Sequence, residues 1–143
     1  MKKINNLLIL FSLILGVTSC AADTTGKKAT EVNNEVEVLY FHGSMRCRTC
    51  VAIEKVTKEL IDTQFANDVK SGKLIFKEVD LGTKDGEKLG DKYEIAFSSI
   101  LIVKKDGSKE KVANLTEDGF KYAINDKAKL QSIISAQIKE YLK

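Results

Sequence analysis

The chain has 143 residues, of which 43% are hydrophobic and 30% are charged. This length suits one compact domain, and the composition excludes a chain that is disordered throughout. The formal net charge of +3 comes from 23 basic and 20 acidic residues, so no large basic excess indicates a nucleic-acid-binding protein.

The first residues follow the pattern of an export signal. Lys2 and Lys3 give a positive start, and an apolar run from Leu7 to Val17 follows them. Because this run is too short for a comfortable membrane span, residues 1–19 are predicted to be a signal peptide. The alternatives are a plain signal peptide without lipid attachment and a buried apolar helix.

The apolar run ends in residues 17–20, VTSC, which resemble the lipobox of bacterial lipoproteins. The resemblance implies that Cys20 is acylated and becomes the mature N-terminus, so that its lipid anchors the protein to a membrane. Residues 20–34 are polar and aperiodic and are predicted to form a flexible tether. We therefore expect a domain over residues 35–143 in the cell envelope, facing the periplasm or the exterior.

The predicted domain begins with a strand, a helix and a second strand. Residues 35–41 and 74–81 are rich in β-branched and aromatic side chains, which is typical of strands. Between them, apolar residues recur at helical spacing from Cys47 to about Lys70. Strands separated by a helix of this length indicate a parallel pair.

The next part of the chain contains a loop, a short helix and a hairpin. Glycines mark a loop over residues 82–86, and residues 87–92 are predicted to form a short helix. Residues 100–103 and 110–114 are predicted to be strands. The segment 105–108 between them contains an Asp-Gly step, which favours a tight turn between antiparallel strands.

The last predicted element is a helix. Apolar residues recur at spacings of three and four from Leu130 to Tyr141, and Asp126 or Asn125 is a suitable N-cap. The predicted order is therefore β-α-β-α-β-β-α. This order indicates the α/β class, with a central mixed four-stranded sheet and helices on its faces.

The motif Cys47-Arg48-Thr49-Cys50 lies where the first strand has ended and the helix begins. Side chains at positions i and i+3 of a first helical turn are close enough for a local disulfide. The free amides and positive dipole end of the helix stabilise a thiolate on Cys47, as do the flanking Arg46 and Arg48. We therefore predict that Cys47 is the attacking thiolate, with a pKa below about 8.5, and that Cys50 is the resolving thiol.

Two other interpretations of the cysteine pair stay open. A static structural disulfide is common in exported proteins, but a loop this short restrains little chain entropy. Structural zinc needs four ligands, and the pair together with His42, the chain's one histidine, leaves that set incomplete, so we predict no zinc site. Cu(I) or a trivalent arsenical needs only two or three thiolates, which keeps a thiophilic carrier as an alternative.

Two stretches resemble the thioredoxin superfamily. Residues 40–50, YFHGSMRCRTC, are similar to its active-site segment, and residues 93–107, YEIAFSSILIVKKDG, to its tyrosine, cis-proline, strand and turn segment. The likeness covers about residues 35–142 and is closest to bacterial thioredoxin-like lipoproteins known as the ArsF family. It implies a thioredoxin-like fold and exchange of disulfides through Cys47 and Cys50.

The chain departs from this family at two places near the motif. It contains no proline, so Ser99 stands at the position of the cis-proline beside the active site. The strand before the motif has Tyr40, Phe41 and His42 where thioredoxins keep a buried acid that relays protons. His42 is a candidate general base for Cys50, although a hydrogen-bonded structural histidine is the more common case.

The sequence therefore predicts an exported, membrane-anchored thiol–disulfide oxidoreductase that needs no cofactor. We expect a monomer whose partners are the thiols or disulfides of exported proteins and a redox partner. Stabilising the thiolate favours the reduced pair, which raises the reduction potential and favours an oxidising or isomerising role. The alternatives are the metal or metalloid carrier and an interaction module without turnover. Tyr93 and Phe97 are predicted to be core or near-core residues.

Overall fold

The computed structural model describes residues 34–143. The predicted signal peptide, Cys20 and the tether as far as residue 33 lie outside the described residues. Across residues 34–143, no helix combines the length and the apolar character that crossing a membrane requires.

Four strands form one mixed sheet at the centre of the domain. They are β1 (Asn34–His42), β2 (Leu74–Asp80), β3 (Ser99–Asp106) and β4 (Lys109–Asn114). Their order across the sheet is β2-β1-β3-β4, with β1 parallel to β2 and antiparallel to β3, and β3 antiparallel to β4. This arrangement confirms the predicted α/β class and its central mixed four-stranded sheet with helices on its faces.

Helices cover both faces of this sheet. They are α1 (Arg48–Gln64), α2 (Ala66–Lys70), α3 (Lys84–Tyr93), α4 (Thr116–Tyr122) and α5 (Lys127–Tyr141). Side chains of α1, α4 and α5 share a larger core with one face of the sheet, and side chains of α3 share a smaller core with the other. The predicted N-cap Asp126 does cap α5, because its carboxylate accepts a hydrogen bond from the amide of Lys129 over 3.0 Å.

Strand β1 supplies alternate side chains to the two cores. Val36, Val38 and Tyr40 lie in the larger core, whereas Leu39 and Phe41 lie in the smaller one. Because successive side chains of a strand point to opposite faces, an uninterrupted apolar run requires packed elements on both faces. The apolar end of β1 therefore places the strand in the middle of the domain, where it leads directly to the cysteine motif.

The predicted helix from Cys47 to Lys70 is divided in two. Phe65 leaves the helical conformation, with φ −120° and ψ 15°, and its side chain is buried in the larger core. Helix α1 therefore ends at Gln64, and the short helix α2 continues as far as Lys70. The prediction of one continuous helix is wrong at this point, because the apolar spacing continues past Phe65 and does not reveal its non-helical backbone.

Thr83 and Gly86 explain why α3 begins inside a segment that the sequence predicts as a loop. The hydroxyl of Thr83 accepts a hydrogen bond from the amide of Gly86 over 3.0 Å, which caps the first turn. A Cβ atom at Gly86 would lie 1.8 Å from the carbonyl oxygen of Asp80, so only glycine fits against the end of β2. The helix therefore starts at Lys84, and the loop predicted over 82–86 is shorter than expected.

Candidate active site

The cysteine pair lies at the junction between the central strand and the first helix. β1 ends at His42, and α1 begins at Arg48. Cys47 is the N-cap residue of α1, with an extended backbone, and Cys50 lies in the first turn. The two Cα atoms are 5.0 Å apart and the side chains form a disulfide, as the spacing of the motif predicts.

The two sulfur atoms have different surroundings. Cys47 is exposed, whereas Cys50 is only 6% exposed. The amide of Cys50 donates a hydrogen bond to the Sγ atom of Cys47 over 3.0 Å, so this sulfur caps the helix. A thiolate at this position gains from the amide and from the positive end of the helix dipole. The geometry therefore suits Cys47 for attack on an external disulfide and Cys50 for attack within the protein.

Tyr40 connects β1 to the first turn of α1. Its side chain is fully buried, and its hydroxyl donates a hydrogen bond of 2.7 Å to the carbonyl oxygen of Cys50. A hydrogen bond between buried groups resists breaking, because separating them leaves a polar group without a partner. The contact therefore holds the turn that carries Cys50 against the central strand.

The two arginines beside Cys47 have different environments. Arg46 forms an ion pair with Glu54 of α1, and its guanidinium carbon lies 5.6 Å from the centre of the Tyr40 ring. Arg48 is exposed on the first turn of α1. The sequence predicts that both arginines stabilise a thiolate on Cys47, and the structure adds a carboxylate partner for one of them.

His42 is half-buried at the end of β1. Its ring stacks on the ring of Tyr40, with 6.0 Å between the ring centres, and its Nδ1 atom lies 3.1 Å from the carbonyl oxygen of Gly43. A protonated Nδ1 would donate a hydrogen bond to this oxygen. These contacts favour the structural role for the histidine, and its role as general base for Cys50 stays a prediction.

Ser99 begins β3 beside the end of β1, where it is the register partner of Phe41. Its side chain is buried, and its hydroxyl donates a hydrogen bond of 3.0 Å to the carbonyl oxygen of Phe97. The register brings the segment that enters β3 to the same end of the sheet as the cysteine motif. The serine hydroxyl is used to close this turn, which explains a serine there without a chemical role.

Three large apolar side chains are exposed at this end of the sheet. Met45 is 93% exposed and Val51 is 48% exposed, on either side of the cysteines in the sequence, and Phe97 is 64% exposed in the segment before β3. The prediction that Phe97 belongs to the core is therefore wrong, because the turn into β3 directs it outwards. Tyr93, by contrast, packs against the smaller core, edge-on to the ring of Phe41.

Two contacts of this site were not predicted from the sequence. Glu54 follows Cys50 by four residues, so helical spacing places both on one face of α1, and this spacing is the signal that would have found it. The acceptor for the Tyr40 hydroxyl is a backbone carbonyl, which no residue pattern marks. Among residues 34–143, no three or more His, Cys, Asp and Glu side chains are grouped in a way that would hold a metal ion.

The likenesses to known proteins described here are distant. No family model matches the chain, and no curated protein matches its sequence. Among solved structures, the chain is similar to a thioredoxin from Thermus thermophilus, with 12% identity, 70% of this chain and 74% of that chain covered, and a TM-score of 0.43. It is also similar to a malarial protein, with 19% identity, 63% and 93% covered, and a TM-score of 0.39. Likenesses at these TM-scores carry no argument about function.

Proposed function

We propose that this protein is a thiol–disulfide oxidoreductase that acts on other proteins through Cys47 and Cys50. The observation that carries the proposal is the asymmetry of the pair: the exposed sulfur of Cys47 caps α1, and Cys50 is buried behind it. A purely structural disulfide has no need of one exposed sulfur at the positive end of a helix. The thioredoxin-like sheet gives further support, because it presents the pair at the end of its central strand.

The same geometry serves exchange in either direction. When the protein oxidises a substrate, a substrate thiolate attacks Cys47, the bond between the two protein sulfurs breaks, and Cys50 leaves and takes up a proton. A second substrate thiolate then attacks the mixed disulfide and releases Cys47, so that two electrons pass from the substrate dithiol to the protein. When the protein reduces a substrate, the Cys47 thiolate attacks its disulfide, and Cys50, after losing its proton, completes the exchange.

Protein substrates fit the surroundings of Cys47 better than small disulfides do. The side chains of Met45 and Val51 are exposed beside the motif in the sequence, and Phe97 is exposed in the segment that enters β3 at the same end of the sheet. Exposed apolar groups near a reactive atom are typical of surfaces that contact other proteins. We therefore propose the thiols and disulfides of proteins as the substrate class, with a separate redox partner that restores the pair.

Export and anchoring belong to the same proposal. The lipobox-like sequence that ends at Cys20 and the polar residues that follow it support a lipid-anchored protein in the cell envelope. Exported compartments are oxidising, so disulfide-bonded substrates are available there. The resemblance of residues 40–50 to the ArsF lipoproteins supports this location, and membership of that family stays a prediction.

The test is catalysis of disulfide exchange by the purified full-length protein. Reduced ribonuclease A is incubated in a glutathione redox buffer with wild type, with Cys47→Ser, or with Ser44→Ala, which changes an exposed loop residue near the motif. We expect wild type and Ser44→Ala to accelerate disulfide formation or rearrangement, and Cys47→Ser to lose at least about tenfold of the rate. Equal rates for wild type and Cys47→Ser would contradict the proposal.

A further inference from the structure

The ion pair between Arg46 and Glu54 is shielded from water. The side chains are 27% and 19% exposed, and the two contacting atoms, Nη2 of the arginine and Oε2 of the glutamate, are buried. An ion pair in such surroundings is stronger than a pair on an open surface, because less water screens the charges. The arginine charge therefore has a fixed partner rather than a mobile surface position.

A second contact fixes the same guanidinium group. Its central carbon lies 5.6 Å from the centre of the Tyr40 ring, a distance at which a cation is attracted to an aromatic face. The hydroxyl of Tyr40 in turn donates to the carbonyl oxygen of Cys50. The charge of Arg46 is thus held by the central strand and by α1 together.

The position of Glu54 on α1 determines where the charge of Arg46 lies. Glu54 follows Cys47 by seven residues, and at the rise of an α-helix this places its backbone about 10 Å further along the helix axis. Helical side chains lean towards the N-terminus, so the carboxylate reaches back towards the turn that contains Cys50. Arg46 forms its ion pair with this carboxylate, so these two charges nearly cancel, whereas Arg48 keeps its positive charge on the exposed first turn.

We propose that Glu54 sets the acidity of Cys47, and with it the reduction potential of the pair, by neutralising and holding the charge of Arg46. Glu54 is a positioning residue: it acts on the thiolate through the arginine. Without this carboxylate, the cation of Arg46, the residue before Cys47 in the chain, has no partner that neutralises it, and a nearby positive charge stabilises a thiolate. The inference rests on the proposed redox role of the cysteines, and it indicates a less oxidising protein than two free arginines would give.

The effect on the reduction potential of the cysteine pair is measured by its equilibrium with glutathione. Two glutathione thiols reduce the protein disulfide to two thiols and are joined into one glutathione disulfide, and Cys47 then loses its proton to water. Any change that stabilises the Cys47 thiolate moves this equilibrium towards the reduced protein. Three other charged or titratable residues lie at this end of the sheet: His42, Asp80 and Arg48. All three are the same in wild type and in a variant at Glu54, so they cannot produce a difference in Cys47 acidity between the two proteins.

The experiment uses Glu54→Gln in the full-length protein, with Glu59→Gln as the matched control on the exposed side of α1. In the reduced proteins, the rate of Cys47 alkylation is measured across pH, and the equilibrium with glutathione is measured at pH 7. For Glu54→Gln we expect the midpoint of Cys47 alkylation to fall by about half a pH unit to one pH unit. The equilibrium with glutathione should shift about three- to tenfold towards the reduced protein. Glu59→Gln is expected to match wild type.

A second variant keeps the inference testable if the first one folds poorly. Arg46→Gln removes the cation and leaves the carboxylate, so we expect the Cys47 midpoint to rise, and the double variant Arg46→Gln/Glu54→Gln to return close to wild type. An unchanged midpoint in Glu54→Gln, or the same shift in Glu59→Gln, would overturn the inference. If the midpoints shift as expected but the wild-type protein exchanges no disulfides with proteins, the proposed function is wrong and the control of acidity stands.

Discussion

The hydroxyl of Tyr40 donates a hydrogen bond of 2.7 Å to the carbonyl oxygen of Cys50, inside the larger core. The bond joins the central strand to the helical turn that carries the buried cysteine. The core contact and the cysteine pair therefore share Cys50.

We expect Tyr40→Phe to keep the ring packing and to lose this hydrogen bond. Because the Cys50 carbonyl is buried, the free energy of unfolding should fall by about 1–2 kcal/mol. Urea unfolding of the oxidised protein measures the change. Tyr122→Phe, at a partly buried tyrosine of α4, is the control, and equal losses of stability in the two variants would show that the hydrogen bond of the Tyr40 hydroxyl adds nothing to stability.

Glu37 is buried on β1 and binds two lysines. Its Oε1 atom pairs with Lys77, and its Oε2 atom lies 2.9 Å from the Nζ atom of Lys105. Burial raises the pKa of this carboxyl, but the hydrogen bonds and charges of the two lysines together outweigh burial and lower the pKa below its ordinary value of 4.5. The ionised carboxylate therefore stabilises the folded state at neutral pH.

The substitution Glu37→Gln should lower the free energy of unfolding at pH 7 by about 1–3 kcal/mol, since both lysines lose their anion but can still reach water. A lowered pKa gives stability that is present above 4.5 and is lost as the pH falls through the lowered value. The two proteins should therefore converge in strong acid. Urea unfolding at several pH values tests this, with the exposed Glu78→Gln as control. A gap of constant size down to about pH 2 would argue against the ion-pair explanation.

Gly86 is predicted to be intolerant of any side chain. Its added Cβ atom would lie 1.8 Å from the Asp80 carbonyl oxygen, which is backbone and cannot swing away. Gly86→Ala should destabilise the protein by about 1–3 kcal/mol through displacement of α3 from the end of β2. Gly43→Ala, with no atom within 4 Å of the added Cβ, is the matched control. Similar thermal unfolding of both variants would contradict this account of the start of α3.

Cys20 is predicted to carry the lipid anchor. Cys20→Ala should move the protein from the membrane fraction to the soluble fraction of cells and leave the redox chemistry of the cysteine pair intact. Intact-mass analysis of the wild-type protein should show a mature chain that begins at Cys20 and carries acyl groups. An unmodified Cys20, or a wild-type protein found wholly in the soluble fraction, would refute the anchoring proposal.

Much of the fold follows from local sequence patterns. The apolar run of β1 predicts a central strand, and the two residues between β3 and β4 include Gly107 at φ 59°, as a tight hairpin turn favours. The cysteine motif is recognisable because its spacing and its place before a helical pattern are both local features. These elements are determined by residues that lie close together in the chain, so the sequence pattern is enough to predict them.

Other features depend on contacts between distant residues, and the sequence does not display them. Helix α4 is short and contains Gly119, whose added Cβ atom would lie 3.2 Å from Ile53 on α1, so close packing against another helix decides its place. The outward position of Phe97 results from the turn into β3. Glu54, the partner of Arg46, was not predicted for a different reason: its helical spacing from Cys50 is visible in the sequence, but that spacing does not show which cation the carboxylate pairs with.

The central claim, that Cys47 attacks protein disulfides and Cys50 resolves the intermediate, is tested most directly by trapping. Full-length Cys50→Ser and Cys47→Ser are expressed in cells, free thiols are blocked, and mixed disulfides are counted on non-reducing gels. Cys50→Ser should accumulate partner proteins joined through Cys47, because the attack that resolves them is missing, and Cys47→Ser should trap almost none. Equal trapping by the two variants, or trapping through Cys50 alone, would contradict the account.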